Sequence, residues 1–346
     1  MREKHQLVEH LPEAVVYILS IFGILSLGVS FAYAGTLSLV QNFGSNPGGI
    51  KMYTYIPDSV PANAPLVVSL HGCLQGAETY SNVGWKELAE KWKFYVIFPE
   101  QNRGNNAYRC WNWFQADDTK RGHGEIKSII EMIDKMKAGY SIDDSRIYIE
   151  GLSAGGWMVP VILASYPDVF AGGATNAGGP AFCVSTEQYF WDFFGWWKVY
   201  IGGMRSKKCL EGTDKSPGEW GDFVRNKGYR GYSGDWPMIS IWQGSADRTV
   251  NKINQQELVD QWTNVHGIDL MPDREEKTGP NSQVIHKEYK SSEGKVLVET
   301  YLVPGMKHGT PIAVDSEHKC GQESEYILNE GICAVRQIGL FWGLNN

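Results

Sequence analysis

Arg146-Ile147-Tyr148-Ile149-Glu150-Gly151-Leu152-Ser153-Ala154-Gly155-Gly156 is the stretch that decides the fold. Ile147, Tyr148 and Ile149 predict a short buried strand, and the apolar run from Gly156 to Ser165 predicts the helix after it. Between them Gly151-Leu152-Ser153-Ala154-Gly155 fits G-x-S-x-G, a sharp turn that lifts a serine clear of the chain. A serine hydroxyl is a weak nucleophile and needs that exposure, with a histidine base within reach. The turn strains the backbone, so small residues must flank it, as Gly151, Ala154, Gly155 and Gly156 do. The competing reading is a glycine-rich connection whose serine only caps a helix. A strand before and a helix after favour the nucleophile.

Outward from this turn, strand and helix signals alternate. Ile50–Ile56 alternates by side, Leu66–Leu70 and Phe94–Pro99 are continuous apolar runs, and Met238–Trp242 is another. Trp85, Leu88, Ala89 and Trp92 mark one helix face. Ile126, Ile129, Ile130, Ile133 and Met136 mark a second, and Leu258, Trp262 and Val265 a third. A short strand signal at Val169-Phe170-Ala171 leads into a glycine-rich segment. Val284–Tyr289 and Val296–Val303 flank Ser291-Ser-Glu-Gly294 and predict a strand pair. Apolar runs separated by amphipathic helices predict an α/β chain, with a mostly parallel central sheet covered by helices on both faces. With the elbow, this is an α/β-hydrolase fold. Residues 183–235 break the rhythm with Tyr189-Phe-Trp-Asp-Phe-Phe-Gly-Trp-Trp197 and are expected to form an aromatic-rich insertion, either a lid or an excursion packed inward.

The 346 residues, 42% of them apolar, suffice for a sizeable core, and a net charge of −7 with no basic block argues against a nucleic-acid partner. Thirteen Trp, seventeen Tyr and thirteen Phe exceed the usual needs of a core, so some are expected to line a groove. Ala14–Ala34 carries no charge and ends in Ala32-Tyr33-Ala34, which predicts a cleaved signal peptide over 1–34. The same stretch is long enough for an N-terminal anchor. Either way residues 35–346 are exported as one catalytic domain, secreted or periplasmic. Cys73, Cys110, Cys183, Cys209, Cys320 and Cys333 then suggest disulfides. Six cysteines allow fifteen pairings. Cys320 with Cys333 reads as a clip on a C-terminal loop, and Cys110 is a candidate partner for Cys73. No C-x-x-C and no histidine cluster has metal spacing, so no metal and no cofactor is expected.

In this fold the acid and then the histidine follow the serine along the chain. Asp247 stands just past the strand at Met238–Trp242, where it would hold the histidine; its alternative is an Asx-turn or helix-capping aspartate. Asp235, Asp260 and Asp269 lack a strand-end position. His308, between Gly305 and Gly309 after the last strand, is the expected general base. His266, His286 and His318 sit where ordinary surface or core histidines sit. An oxyanion hole needs two backbone N–H groups. The Ala154 amide and the Cys73 amide in Leu70-His-Gly-Cys-Leu-Gln-Gly76 are expected to supply them, with His71 bracing that loop. Trp111 and Trp113 line the acyl pocket or pack in the core.

Five motifs in order are similar to the poly(3-hydroxybutyrate) depolymerase family of esterases. They are His71-Gly-Cys73, Arg109-Cys-Trp-Asn-Trp-Phe114, Gly122-His-Gly-Glu125, Gly151-Leu-Ser-Ala-Gly-Gly156 and Gly305-Met-Lys-His-Gly-Thr-Pro311. The resemblance spans roughly Phe43 to Pro311. It implies an exported serine esterase that cuts hydroxyalkanoate polymers or oligomers, with Ser153, Asp247 and His308 as its triad. Extracellular members often carry a linker and a polymer-binding domain after the catalytic one, and this sequence leaves room for neither; oligomers therefore stand beside polymer as the expected substrate. Feruloyl and acetylxylan esterases share similar cores and are the alternative. A non-catalytic binding protein on the same fold is the remaining one, and such proteins usually lose a triad member.

Overall fold

The computed structural model describes residues 35–184, 207–315 and 319–346. The expected leader or anchor over 1–34, the aromatic part of the insertion at 185–206, and His318 lie outside them.

A ten-stranded sheet organises the chain. Its strands are β1 Leu37–Val40, β2 Lys51–Tyr55, β3 Ala64–Leu70, β4 Tyr95–Glu100, β5 Ile142–Leu152, β6 Gly172–Asn176, β7 Met238–Gly244, β8 Arg274–Thr278, β9 Val284–Lys290 and β10 Val296–Val303. They lie in the order β1-β2-β4-β3-β5-β6-β7-β10-β9-β8. From β4 to β10 neighbouring strands are parallel. Both edges are finished by antiparallel pairs. The parallel centre is buried from both sides, which is why β3 is buried along its whole length and reads as one apolar run.

Alternation sorts the side chains of these strands into two cores. Leu66, Val68, Leu70, Ile147, Ile149, Ile239 and Ile241 face one core. Helices Gly124–Gly139, Ala154–Ser165, Pro217–Lys227 and Ile253–His266 cover it. Val67, Tyr148, Trp242 and Tyr301 face the other, beneath Trp85–Trp92 and Ala334–Phe341. A small parallel pair, β11 Thr310–Ile312 with β12 Ile327–Asn329, follows the main sheet. All six cysteines are paired, as Cys73–Cys110, Cys183–Cys209 and Cys320–Cys333. Among the described residues no helix is long and apolar enough to cross a membrane.

Two elements depart from the sequence reading. The strand expected at Val169–Ala171 lies later, at Gly172–Asn176. A Cβ at Gly173 would sit 2.7 Å from Leu163 Cδ1 and 2.9 Å from Val159 Cγ1, so the strand lies too close to the elbow helix for larger residues. Strand propensity cannot see a residue chosen for closeness. The edge strand β8, Arg-Glu-Glu-Lys-Thr, is an addition to the strands the sequence predicts, because a polar edge strand carries no apolar pattern. Of the expected insertion, Pro217–Lys227 packs inward. Its Trp220 is fully buried and donates to Glu257 Oε2 at 2.5 Å.

Candidate active site

Ser153 stands between β5 and the helix Ala154–Ser165 with φ 54° and ψ −119°. A left-handed non-glycine residue costs about 1–3 kcal/mol and persists only where its surroundings hold it. Here the Ser153 N–H donates to Asn176 O at 2.9 Å, and Ser153 O accepts from Trp157 N–H at 2.8 Å. Space at the turn is scarce. A Cβ at Gly151 would sit 2.5 Å from Gly155 C, and one at Gly155 would meet the carbonyls of Leu70 and His71.

The parallel sheet brings the other groups to the same edge, since ligand sites of such sheets lie beyond the carboxyl ends of the strands. Asp247 follows β7, and His308 follows the neighbouring β10. Their loops are zipped together. Ser245 N–H donates to Val303 O at 3.0 Å, Ala246 N–H to Met306 O at 3.0 Å, and Gly305 N–H to Ser245 Oγ at 2.8 Å. His308 Nδ1 and Asp247 Oδ2 come to 2.8 Å, with the Asp247 side chain fully buried. Asp247 Oδ1 accepts from the Thr249 and Val250 amides at 2.8 and 2.9 Å. The two readings of Asp247 are therefore compatible: one oxygen makes the Asx turn and the other holds the histidine. Burial alone would raise its pKa, but His308 and the two amides outweigh burial and hold it below the usual carboxylate value. An ionised carboxylate only accepts, so Nδ1 carries the proton and Nε2 is left free to accept one.

The loop after β3 is braced from below. His71 is buried, its Nδ1–H donates to Gly72 O at 2.7 Å, and Gln101 N–H donates to its Nε2 at 3.0 Å. Burial lowers its pKa to about 4 and keeps it neutral, the bracing role. Trp111 is fully buried and donates from Nε1 to His71 O at 2.9 Å. Glu125, of the Gly122-His-Gly-Glu125 motif, accepts from Asn112 N–H at 2.9 Å, Asn112 Nδ2 at 2.8 Å and Gln101 Nε2. Burial, with Asp118 beside it, pushes its pKa well up. The Cys73–Cys110 disulfide closes the loop from the side. The Gly72 and Leu74 amides are taken by Gln75 Oε1 and Tyr108 O, whereas the Cys73 N–H has no partner among the described residues. The Ala154 N–H opens a helix and lacks an intrahelical acceptor.

Ser153, His308, Ala154 and Cys73 all line one cavity of about 230 Å³. Its walls include Leu152, Trp157, Trp113, Phe114, Leu210 and Tyr326. Trp113 thus lines the cavity and stacks on Trp157 with centroids 4.4 Å apart. Trp111 does not line it and braces the loop from behind, which corrects the pocket expectation for that residue. Leu210 and Tyr326 carried no signal in sequence; Leu210 follows Cys209 in a short helical stretch, and Tyr326 sits in a turn within the segment that Cys320–Cys333 closes. His286 lies in β9 between Glu276 and Glu299, and His266 ends a helix, both away from the cavity lining. Among the described residues no group of three or more His, Cys, Asp or Glu could hold a metal ion. The arrangement can activate a serine, receive its proton and stabilise an oxyanion.

A family model described as "Esterase PHB depolymerase" matches residues 51–185. Over 323 residues the chain is 46% identical to poly(3-hydroxyalkanoate) depolymerase C of Paucimonas lemoignei, covering 93% of this chain and 73% of that one. It is 32% identical over 284 residues to acetylxylan esterase of Coprinopsis cinerea, covering 80% and 70%. It is 34% identical over 248 residues to feruloyl esterase B of Neurospora crassa, covering 71% and 80%. Among solved structures, acetyl xylan esterase from Aspergillus awamori matches with TM-score 0.71 at 23% identity, over 89% of this chain and 99% of that one. That likeness shows a shared α/β-hydrolase fold.

Proposed function

The chain belongs to the PHB depolymerase family of esterases, and from that premise we propose that it hydrolyses the ester bonds of poly(3-hydroxybutyrate) or its oligomers through an acyl-enzyme on Ser153. Ser153 Oγ attacks the ester carbonyl while His308 Nε2 takes its proton, and Asp247 steadies the imidazolium. The Cys73 and Ala154 amides hold the tetrahedral oxyanion. His308 then returns the proton to the departing alkoxide, and water, activated the same way, releases the acid. The observation that carries this reading is the meeting of Ser153, His308 and both amides at one cavity, with Asp247 paired behind the histidine.

The cavity wall supports a neutral, largely apolar acyl unit, because its described lining holds no carboxylate, lysine or arginine, and His308 and the Tyr326 phenol are its ionisable groups. At about 230 Å³ it falls below the size of drug-binding pockets, roughly 300–1,000 Å³, and suits a short unit of a longer chain. The disulfides support work outside the cytoplasm, where such bonds persist. On this reading residues 1–34 are the export signal and 35–346 the catalytic domain.

The test is acid release by the purified protein from amorphous poly(3-hydroxybutyrate), a short 3-hydroxybutyrate oligomer and methyl ferulate, with Ser153→Ala as the blank. Cleavage of polymer or oligomer with ferulate spared is expected. Preference for ferulate would replace the substrate assignment with a feruloyl-type carbohydrate esterase. Activity surviving in Ser153→Ala would overturn the mechanism.

A further inference from the structure

Resting on that assignment of the triad, we infer that Glu150 is a positioning residue that holds the elbow, the oxyanion strand and the histidine loop in register. Glu150 ends the apolar run of β5 one residue before Gly151 and is fully buried. Four donors converge on its carboxylate. Tyr80 Oη donates to Oε1 at 2.5 Å and Asn176 Nδ2 to Oε1 at 2.7 Å. Ser69 Oγ donates to Oε2 at 3.0 Å and Trp85 Nε1 to Oε2 at 3.1 Å. All four partners are themselves buried.

Each partner except Trp85 leads to a part of the site. Ser69 lies in β3, two residues before His71 and the loop that carries the Cys73 amide. Asn176 is the residue whose carbonyl accepts the Ser153 N–H and so fixes the strained turn. The Tyr80 hydroxyl lies 3.3 Å from Thr310 Oγ1, two residues after His308. Thr310 N–H donates in turn to the carbonyl of Tyr326, whose ring meets His308 edge-on at 5.8 Å. Trp85 anchors the carboxylate to the helix beneath the sheet.

A carboxylate is a costly choice for this position. Removing one from water costs several kcal/mol even after relaxation, and an aliphatic side chain would fill a strand interior without that cost. What an aliphatic residue cannot do is accept from four elements at once. Glu150 touches neither the cavity nor, by its contacts, any reacting group, so its effect on the reaction passes through the backbone of those segments.

The test compares Glu150→Ala, Glu150→Gln and Tyr80→Phe in the full chain, with folded fraction from near-ultraviolet circular dichroism and kcat per folded molecule on a soluble butyryl ester. Glu150→Ala is expected to lose about 10- to 100-fold in kcat with KM within about threefold, because displacements on the order of 1 Å cost about that much. Inactivation by a fluorophosphonate, which needs Ser153, its histidine base and the oxyanion donors but no polymer-binding surface, should slow in parallel. Glu150→Gln should recover most of the rate. The shape is kept, and Asn176 can turn its Oδ1, which has no partner among the described residues, toward the new amide. Tyr80→Phe should lose about 5- to 10-fold, and the double variant Glu150→Ala/Tyr80→Phe should be no slower than Glu150→Ala alone, as expected of residues acting through one network. Unchanged kcat per folded molecule, within twofold, in Tyr80→Phe and Glu150→Ala would overturn the inference while leaving the triad intact. Should Glu150→Ala not fold, Tyr80→Phe decides alone. Activity in Ser153→Ala, run alongside, would instead remove the triad on which the inference rests.

Discussion

Replacing Gly155 with alanine adds one methyl group to a helix and should nevertheless disable the enzyme. Gly155 is the second residue of the helix Ala154–Ser165, and its φ is not in the left-handed region, so the backbone itself accepts alanine. By helix propensity alone the change would stabilise by up to about 1 kcal/mol. The obstacle is the loop after β3. The added Cβ would meet the Leu70 carbonyl oxygen and sit 2.8 Å from His71 O and 2.9 Å from Leu70 C, where ordinary contact begins at 3.4 Å. These are backbone atoms of a strand end held by Trp111, Gln101 and the Cys73–Cys110 disulfide, and none is the free end of a flexible side chain. Helix and loop must therefore separate by about 0.6 Å at His71 O, and by more at Leu70 O. That separation moves the Ala154 amide away from the Cys73 amide, the pair proposed to share one oxyanion. With about 10²-fold lost per 1 Å of misplacement, kcat should fall roughly 10- to 100-fold. The assay is kcat on a soluble butyryl ester beside a thermal melt. Loss of activity with KM little changed is expected. A fully active, equally stable Gly155→Ala protein would refute the argument that this close approach sets the distance between the two amides.

Asp247→Asn should keep the Asx turn but lose the charge that holds His308, lowering kcat by about 10³- to 10⁴-fold; a steady-state rate within tenfold of wild type would count against Asp247 as the acid. The double change Cys73→Ser/Cys110→Ser keeps the Cys73 amide while opening a disulfide that spans 37 residues. Loop-closure entropy sets the loss of stability at up to about 4 kcal/mol, read by denaturant unfolding, and the rate should fall further than the unfolded fraction explains. For pH, burial raises Glu150 from 4.5 to about 7, more than its four donors lower it. The folded protein therefore holds that proton more tightly than the unfolded chain. Its contribution is full below about pH 4.5, declines as pH rises, and levels off above about pH 7. The decline is worth roughly 3 kcal/mol, and Glu150→Gln should lack it. Parallel melting curves of the two proteins from pH 4.5 to 7.5 would exclude this.

The elbow was legible because three independent constraints coincide there: an apolar strand, a strict run of small residues, and an apolar helix. Chain order pointed to Asp247 and His308 as candidates, since parallel strands must end on one edge and the loops after β7 and β10 are the late ones, and the two side chains pair. What escaped was set by distance rather than by periodicity. Gly173 is kept bare by Val159 and Leu163 of the elbow helix, and Gly172 by Met238 and Trp342. Leu210 reaches the cavity beside Cys183–Cys209 and Tyr326 inside the segment closed by Cys320–Cys333, and no local pattern announces where those links place a side chain. Trp111 and Trp113 are two residues apart with the same chemistry, and only the packing separates a brace from a wall.

Glu150 and Glu125 show how a signal can be present and still go unread. Both stood inside quoted motifs, one in an apolar strand and one beside glycines, and a buried carboxylate in either place is unusual. Their shared logic emerges only in three dimensions. Glu150 collects donors behind the elbow, while Glu125 collects them behind the loop that carries Cys73. Each ties segments far apart in sequence, and each is protonated more readily than a free carboxyl. An oxyanion hole works only if its dipoles are fixed before charge develops, since moving them during reaction would cost what they return. Backbone amides on two different segments cannot fix each other. The buried carboxylates lie where that fixing has to be done, one behind each amide.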